Sequence, residues 1–152
     1  MEAYWPHGKA QRACRDHDTE FGDRQAIHAN SYPETVGPDQ ANDGDFRSSW
    51  YLDETQTSGW MEVDLKKLES FNTVSLVEPM GQWDNYRKSR IRNYRFEYWN
   101  GENWIRLTGG ETPTGATIHR IPRVSSQKVR LLFESSQLKP HIAEIGVYDE
   151  PG

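Results

Sequence analysis

Along this chain, apolar and aromatic residues return at every second position in short bursts: 60–65, 73–77, 91–99, 104–107, 117–121, 129–133 and 142–148. A two-residue period is the mark of strands that turn one face inward. In the longest burst Tyr94, Phe96 and Tyr98 share one face, while Arg95, Glu97 and Trp99 share the other. Asn100-Gly101 predicts a hairpin, and Gly109-Gly110, Pro113 to Gly115 and Pro140 predict further reversals. No segment carries a helical period of useful length. About eight strands bounded by turn residues predict an all-β fold, a two-sheet β-sandwich of the jelly-roll kind. Trp50, Trp60 and Trp104 stand in strands or at their starts and are assigned to its core.

A length of 152 residues suits one domain with its own core. Residues 1–25, rich in charge and histidine, fit the strand pattern least and read as a leader, a linker or an extra edge strand. Residues 26–150 carry the domain. Cys14 is the single cysteine, so no disulfide framework is expected. Lys and Arg number 18 against 23 Asp and Glu, a net charge of -5 with the signs mixed. Nucleic acid is therefore not an expected partner, because phosphate binding needs clustered cations. The chain holds no apolar run long enough for a bilayer and no charged-then-apolar leader at Met1, so it is expected neither to cross a membrane nor to direct its own export.

Two segments carry candidate chemistry. The loop from Gln40 to Trp50 brings Asp43, Gly44, Asp45 and the Ser48 hydroxyl together, hard oxygen ligands around a glycine turn, which is what calcium requires. It lacks the glutamate and flanking helices of an EF-hand, and Asp-Gly-Asp on its own is equally ordinary turn chemistry. The second segment runs from Gln82 to Arg90. Trp83 and Tyr86 offer flat platforms, Asn85, Arg87 and Arg90 offer donors, and Glu78 and Asp84 offer acceptors, the mixture that holds a sugar. The competing reading makes Trp83 ordinary surface and pairs Glu78 with Arg90 to fasten the loop. His28, Asn30, Tyr51 and His141 are further polar or aromatic positions expected near the same rim. Glu78 and Asp84 are the one carboxylate pair that falls in a candidate cleft, nothing in the sequence pre-organises them, and nucleophile, phosphate and dinucleotide motifs are absent, so no catalytic constellation is expected.

The ordered set of motifs carries a resemblance. Ala41-x-Asp-Gly-Asp-x-x-Ser-x-Trp50, Gly59 to Leu65, Arg90 to Trp104 and Ile142 to Tyr148 resemble the discoidin, or coagulation-factor C-type, domain, and more narrowly the family 32 carbohydrate-binding modules. Ser75 to Pro79, Gly81-Gln82, Arg90-Ile91, Ile118 to Pro122 and Lys128 to Leu131 are similar to the module that follows the barrel of family 29 α-L-fucosidases. The likeness implies a galactose-binding-like sandwich with a structural calcium ion. Its ligands would be the carbonyls of Gln40, Asp45 and Ala143, the carboxylates of Asp43 and Glu144, and both oxygens of Ser48, where the family more often has Thr. It implies a non-catalytic module that binds galactose-type or related glycans beside a catalytic domain. The parent protein would then be a glycoside hydrolase acting outside the cell, in the periplasm or at the cell surface. The alternative is a structural domain that packs on that neighbour and binds no sugar. A membrane, the ligand of coagulation-factor relatives, is not the expected partner. The segment 83–89 interrupts the fucosidase pattern, which passes almost directly from Gly-Gln to Arg-Ile.

Overall fold

The structure, a computed structural model, describes residues 11–12, 26–29, 41, 50–51, 56–78, 91–111, 113, 116–135 and 141–151. Among these the chain forms β1 (Gln11–Arg12), β2 (Ala26–Ala29), β3 (Trp50–Tyr51), β4 (Ser58–Val77), β5 (Ile91–Trp99), β6 (Trp104–Glu111), β7 (Ala116–Ser135), β8 (His141–Ile142) and β9 (Glu144–Asp149). Every pairing is antiparallel. The all-β sandwich expected from the alternation is what forms.

One difference is instructive. The bursts 60–65 and 73–77 are a single strand, β4, and 117–121 and 129–133 are likewise one strand, β7, each 20 residues long. They pair along their whole length, with register shifts between Asp64 and Glu69 and between Phe71 and Thr73. At the first shift Lys66 takes a φ of 69° and donates its N–H to Asp64 Oδ1 at 2.8 Å. At the second, the Asn72 amide donates to the Glu150 carbonyl at 2.8 Å and accepts from the Glu150 N–H at 2.9 Å, replacing a backbone ladder partner with a side chain. Such bulges bend a strand without ending it, so polar residues that read as a break mark a corner.

The corner folds one sheet into two leaves. Leaf one contains β2, the first arm of β4, the second arm of β7, β5 and β6; leaf two contains β1, β9 and the other arms of β4 and β7. Their inner faces supply the core, with Met61, Val63, Phe96 and Leu131 from leaf one and Val74, Leu76, Ile145 and Val147 from leaf two, all fully buried. Across the gap Tyr94 Oη lies 2.7 Å from His119 Nε2, and Thr108 Oγ1 lies 3.2 Å from His119 Nδ1. Burial raises the Tyr94 phenol above its ordinary range, partly offset by a hydrogen bond with Thr117, and burial lowers His119. Tyr94 and Thr108 of leaf one are thus joined through the two ring nitrogens of His119, the tautomer setting which partner donates.

The leaves differ on their outer faces. Thr73, Ser75, Glu144, Gly146 and Tyr148 alternate with the core residues of leaf two and are nonetheless buried. On leaf one, Trp60, Arg95 and Glu134 face outward and are exposed. Trp60 therefore departs from its expected core position, whereas Trp50 is fully buried. The hairpin at Asn100-Gly101 forms, with Gly101 at a φ of 103° and the Asn100 side chain accepting from the N–H groups of Glu102 and Asn103 at 2.8 and 2.7 Å. Gly109 and Gly110 do not reverse the chain; they lie inside β6.

Candidate functional site

Opposite the corner, the leaves end together. Trp50 pairs with Ile142 in the β3–β8 ribbon, and its indole meets Phe133 of leaf one edge-on, with centroids 5.7 Å apart. One residue beyond Ile142, the Ala143 N–H donates to the Val77 carbonyl of leaf two at 2.8 Å. This end gathers Tyr51, Glu78, His141, Ala143 and Glu144. Tyr51 and His141 stack, with ring centroids 5.0 Å apart and planes 27° from parallel. Glu78 follows the last residue of β4, and Glu144, which opens β9, is in register with Val77. Two carboxylates thus leave neighbouring strands, Glu78 at 8% exposure and Glu144 at 1%. A carboxylate buried to that degree is stable only beside hydrogen-bond donors or a cation.

Of the expected calcium ligands, Ala143 and Glu144 lie at this end, both buried. Gln40, Asp43, Asp45 and Ser48 lie outside the described residues. Their described neighbours Ala41 and Trp50 are fully buried, so both ends of that loop are anchored in the core. Among the described residues no three His, Cys, Asp or Glu side chains gather as a metal cluster. What is described is one acidic side chain at Glu144 next to a backbone segment fixed to β4, a donor type that a hard cation accepts.

Of the expected sugar contacts, Glu78 is described and buried. Trp83, Asn85, Tyr86, Arg87 and Arg90, with the acceptor Asp84 and the rim candidate Asn30, lie outside the described residues. His28 is exposed on β2, in register with Glu62, so it stands on the other arm of β4 from Glu78. The structure stacks Tyr51 on His141, two of the positions expected near one rim. The outward-facing Trp60 was missed, although the alternation of Met61, Val63 and Leu65 carries the signal for it.

Comparison with known proteins agrees with this geometry. The model of the F5/8 type C domain matches residues 26–145. A protein of Oryza sativa subsp. japonica that carries the name of an alpha-L-fucosidase is 30% identical over 105 residues, 68% of this chain and 19% of that protein. A GH29 fucosidase of Ruminococcus gnavus, in complex with fucose, superposes with a TM-score of 0.74 at 24% identity, covering 84% of this chain and 25% of that one. The family 32 module of C. perfringens NanJ, in complex with galactose, superposes with a TM-score of 0.71 at 14% identity, covering 82% of this chain and 93% of that one. The chain thus spans a fifth to a quarter of the two fucosidase relatives and nearly the whole of the isolated module. Domains of this type are generally non-catalytic, and the fold of this chain is that of the galactose-binding-like sandwich. By the match across most of its length, this chain belongs to the F5/8 type C, or discoidin, domain family.

Proposed function

We propose that this domain is a non-catalytic carbohydrate-binding module of a glycoside hydrolase of the α-L-fucosidase class, with its glycan site at the loop end of the sandwich. The observation that carries this reading is the gathering of Glu78, the Tyr51–His141 stack and Glu144 at one end, where β4 ends. The sequence that follows Glu78 holds Trp83, Asn85, Tyr86, Arg87 and Arg90, residue types suited to sugar rings and hydroxyls. Galactose-type or related terminal sugars are the ligand class. Its work is to hold the parent enzyme on glycans, where weak binding at one site suffices because the tether keeps local concentration high.

Calcium belongs to the same reading. Glu144 and Ala143, with Gln40, Asp43, Asp45 and Ser48, would hold the ion and tie the loop at 40–48 to the start of β9. When bound, it supplies a fixed charge that neutralises buried carboxylates.

The test is a glycan array probed with the protein in calcium, then titration of the best hit against Trp83→Ala. Saturable binding that this change weakens at least roughly tenfold, with an unchanged melting temperature, supports the module. A clean array from folded protein would remove the sugar function and leave a structural domain beside a catalytic neighbour.

A further inference from the structure

We propose that the outer face of leaf one holds a second carbohydrate site, a shallow cleft for an extended, uncharged sugar chain lying across β4, β7, β5 and β6. The proposal rests on the reading of the domain as carbohydrate-binding. The cleft encloses about 720 Å³, within the ~300–1,000 Å³ of ligand sites.

Its floor follows from strand register. Trp60 lies opposite Leu132, Leu132 opposite Arg95, and Arg95 opposite Gly109, so one row crosses all four strands. Trp60 presents an indole 36% exposed, and Leu132 extends the apolar floor beside it. At the far end Gly109 keeps the floor low. A Cβ at Gly109 would stand 2.5 Å from the Tyr94 carbonyl oxygen, so glycine is what lets β6 lie this close to β5.

The walls are polar. In the next row toward the loop end, Glu134 lies opposite both Ser58 and Asn93, and Asn93 lies opposite Glu111. Asn93 Nδ2 donates to Glu134 Oε2 at 3.1 Å, which leaves the carboxylate's other oxygen to accept from a hydroxyl. Arg106 walls the opposite side.

These groups select the ligand. Arg95 and Arg106 are matched by Glu111 and Glu134, and Arg95 is also held by Glu97 at 2.9 Å. A polyanion would meet two carboxylates, so the fitting occupant is neutral, with C–H faces for the indole and hydroxyls for the walls. Four strands at ~4.8 Å spacing make a row roughly 15 Å long, room for several sugar rings in line. A β-1,4-linked chain, being extended, follows such a row.

The test is an NMR titration of the ¹⁵N-labelled chain in calcium with the hexasaccharides of β-1,4-linked glucose, galactose and N-acetylglucosamine, and with galactose alone. At least one hexasaccharide should shift the Trp60 indole and the amides of Arg95, Gly109 and Gly110, and galactose should not. Trp60→Ala should weaken that binding at least roughly tenfold and Trp83→Ala should leave it intact. Arg106→Ala, on an exposed side chain, gives the same answer if the tryptophan variant folds poorly. Shifts confined to the loop end would overturn the second site and leave the module reading standing. Signals of Trp60 that follow protein concentration instead of sugar would make the face a self-association surface and equally overturn it. If no sugar moves either region, both readings fall.

Discussion

The two leaves of the sandwich are built from the same two long strands, yet their outer faces have opposite fates. On leaf two, Thr73, Ser75, Gly146 and Tyr148 are polar or small and lie buried. On leaf one, Trp60, Arg95 and Glu134 are large or charged and meet solvent. Hydrophobicity alone does not assign a face: a hydroxyl is accepted inside when it finds a partner, and an indole is accepted outside when its edge is wet. A buried outer face serves stability, and an open one is available for binding.

The sharpest way to break this contrast is to truncate one aromatic on each outer face. Tyr148, 2% exposed, should behave as a buried aromatic, so Tyr148→Ala should cost roughly 3–5 kcal/mol in urea unfolding. Trp60→Ala, at a side chain 36% exposed, should cost clearly less, roughly 1–2 kcal/mol. Equal losses would refute the difference between the leaves.

Calcium comes next. An ion bound only by the folded state adds about 2.7 kcal/mol at a hundredfold excess over Kd, so chelation should lower the melting temperature, and Glu144→Gln should remove most of the response. A melting curve indifferent to chelator in protein first stripped of metal would dismiss the cage.

Gly146 probes how tightly leaf two's outer face is packed. A Cβ there would approach the Tyr148 hydroxyl and stand 2.5 Å from Ser75 Oγ. Gly146→Ala should therefore cost about 1–3 kcal/mol by overpacking. At Gly101 nothing lies within 4 Å, but φ is 103°, and Gly101→Ala should lose about 1 kcal/mol to backbone strain alone.

The smallest effect concerns the bridge between the leaves. His119 is held below the ordinary imidazole value by burial, so the unfolded chain binds its proton more readily than the folded one. Stability from this residue is complete above about pH 6.5 and declines as pH falls from there toward the folded value. His119→Gln should flatten that part of the stability profile. A wild-type profile without slope there would show that the imidazole charges freely in place.

Much of this was legible in the sequence. The alternation in 91–99 put Tyr94 and Phe96 on one face and Arg95 on the other, and the structure buries the first two and exposes Arg95, while a register shift after Phe96 leaves Glu97 buried as well. Asn100-Gly101 named its hairpin because a positive φ is needed there. The corner at 64–73 was not legible, since a bulge and a loop are both written in polar residues, and Gly109-Gly110 misled because close strand approach asks for glycine as a turn does. For the candidate site, Glu78, Ala143 and Glu144 could be named from motif order, but their meeting depends on partners distant in the chain.

The sequence by itself determined the strand class, which residues of each strand share a face, and the family, because these rest on local period and on motifs in order. Only the tertiary structure decided which face is covered, that two pairs of bursts are two bent strands, and that Trp60, Leu132, Arg95 and Gly109 form one row. The physical reason is that register and burial arise between strands far apart in sequence, where no local pattern records the partner.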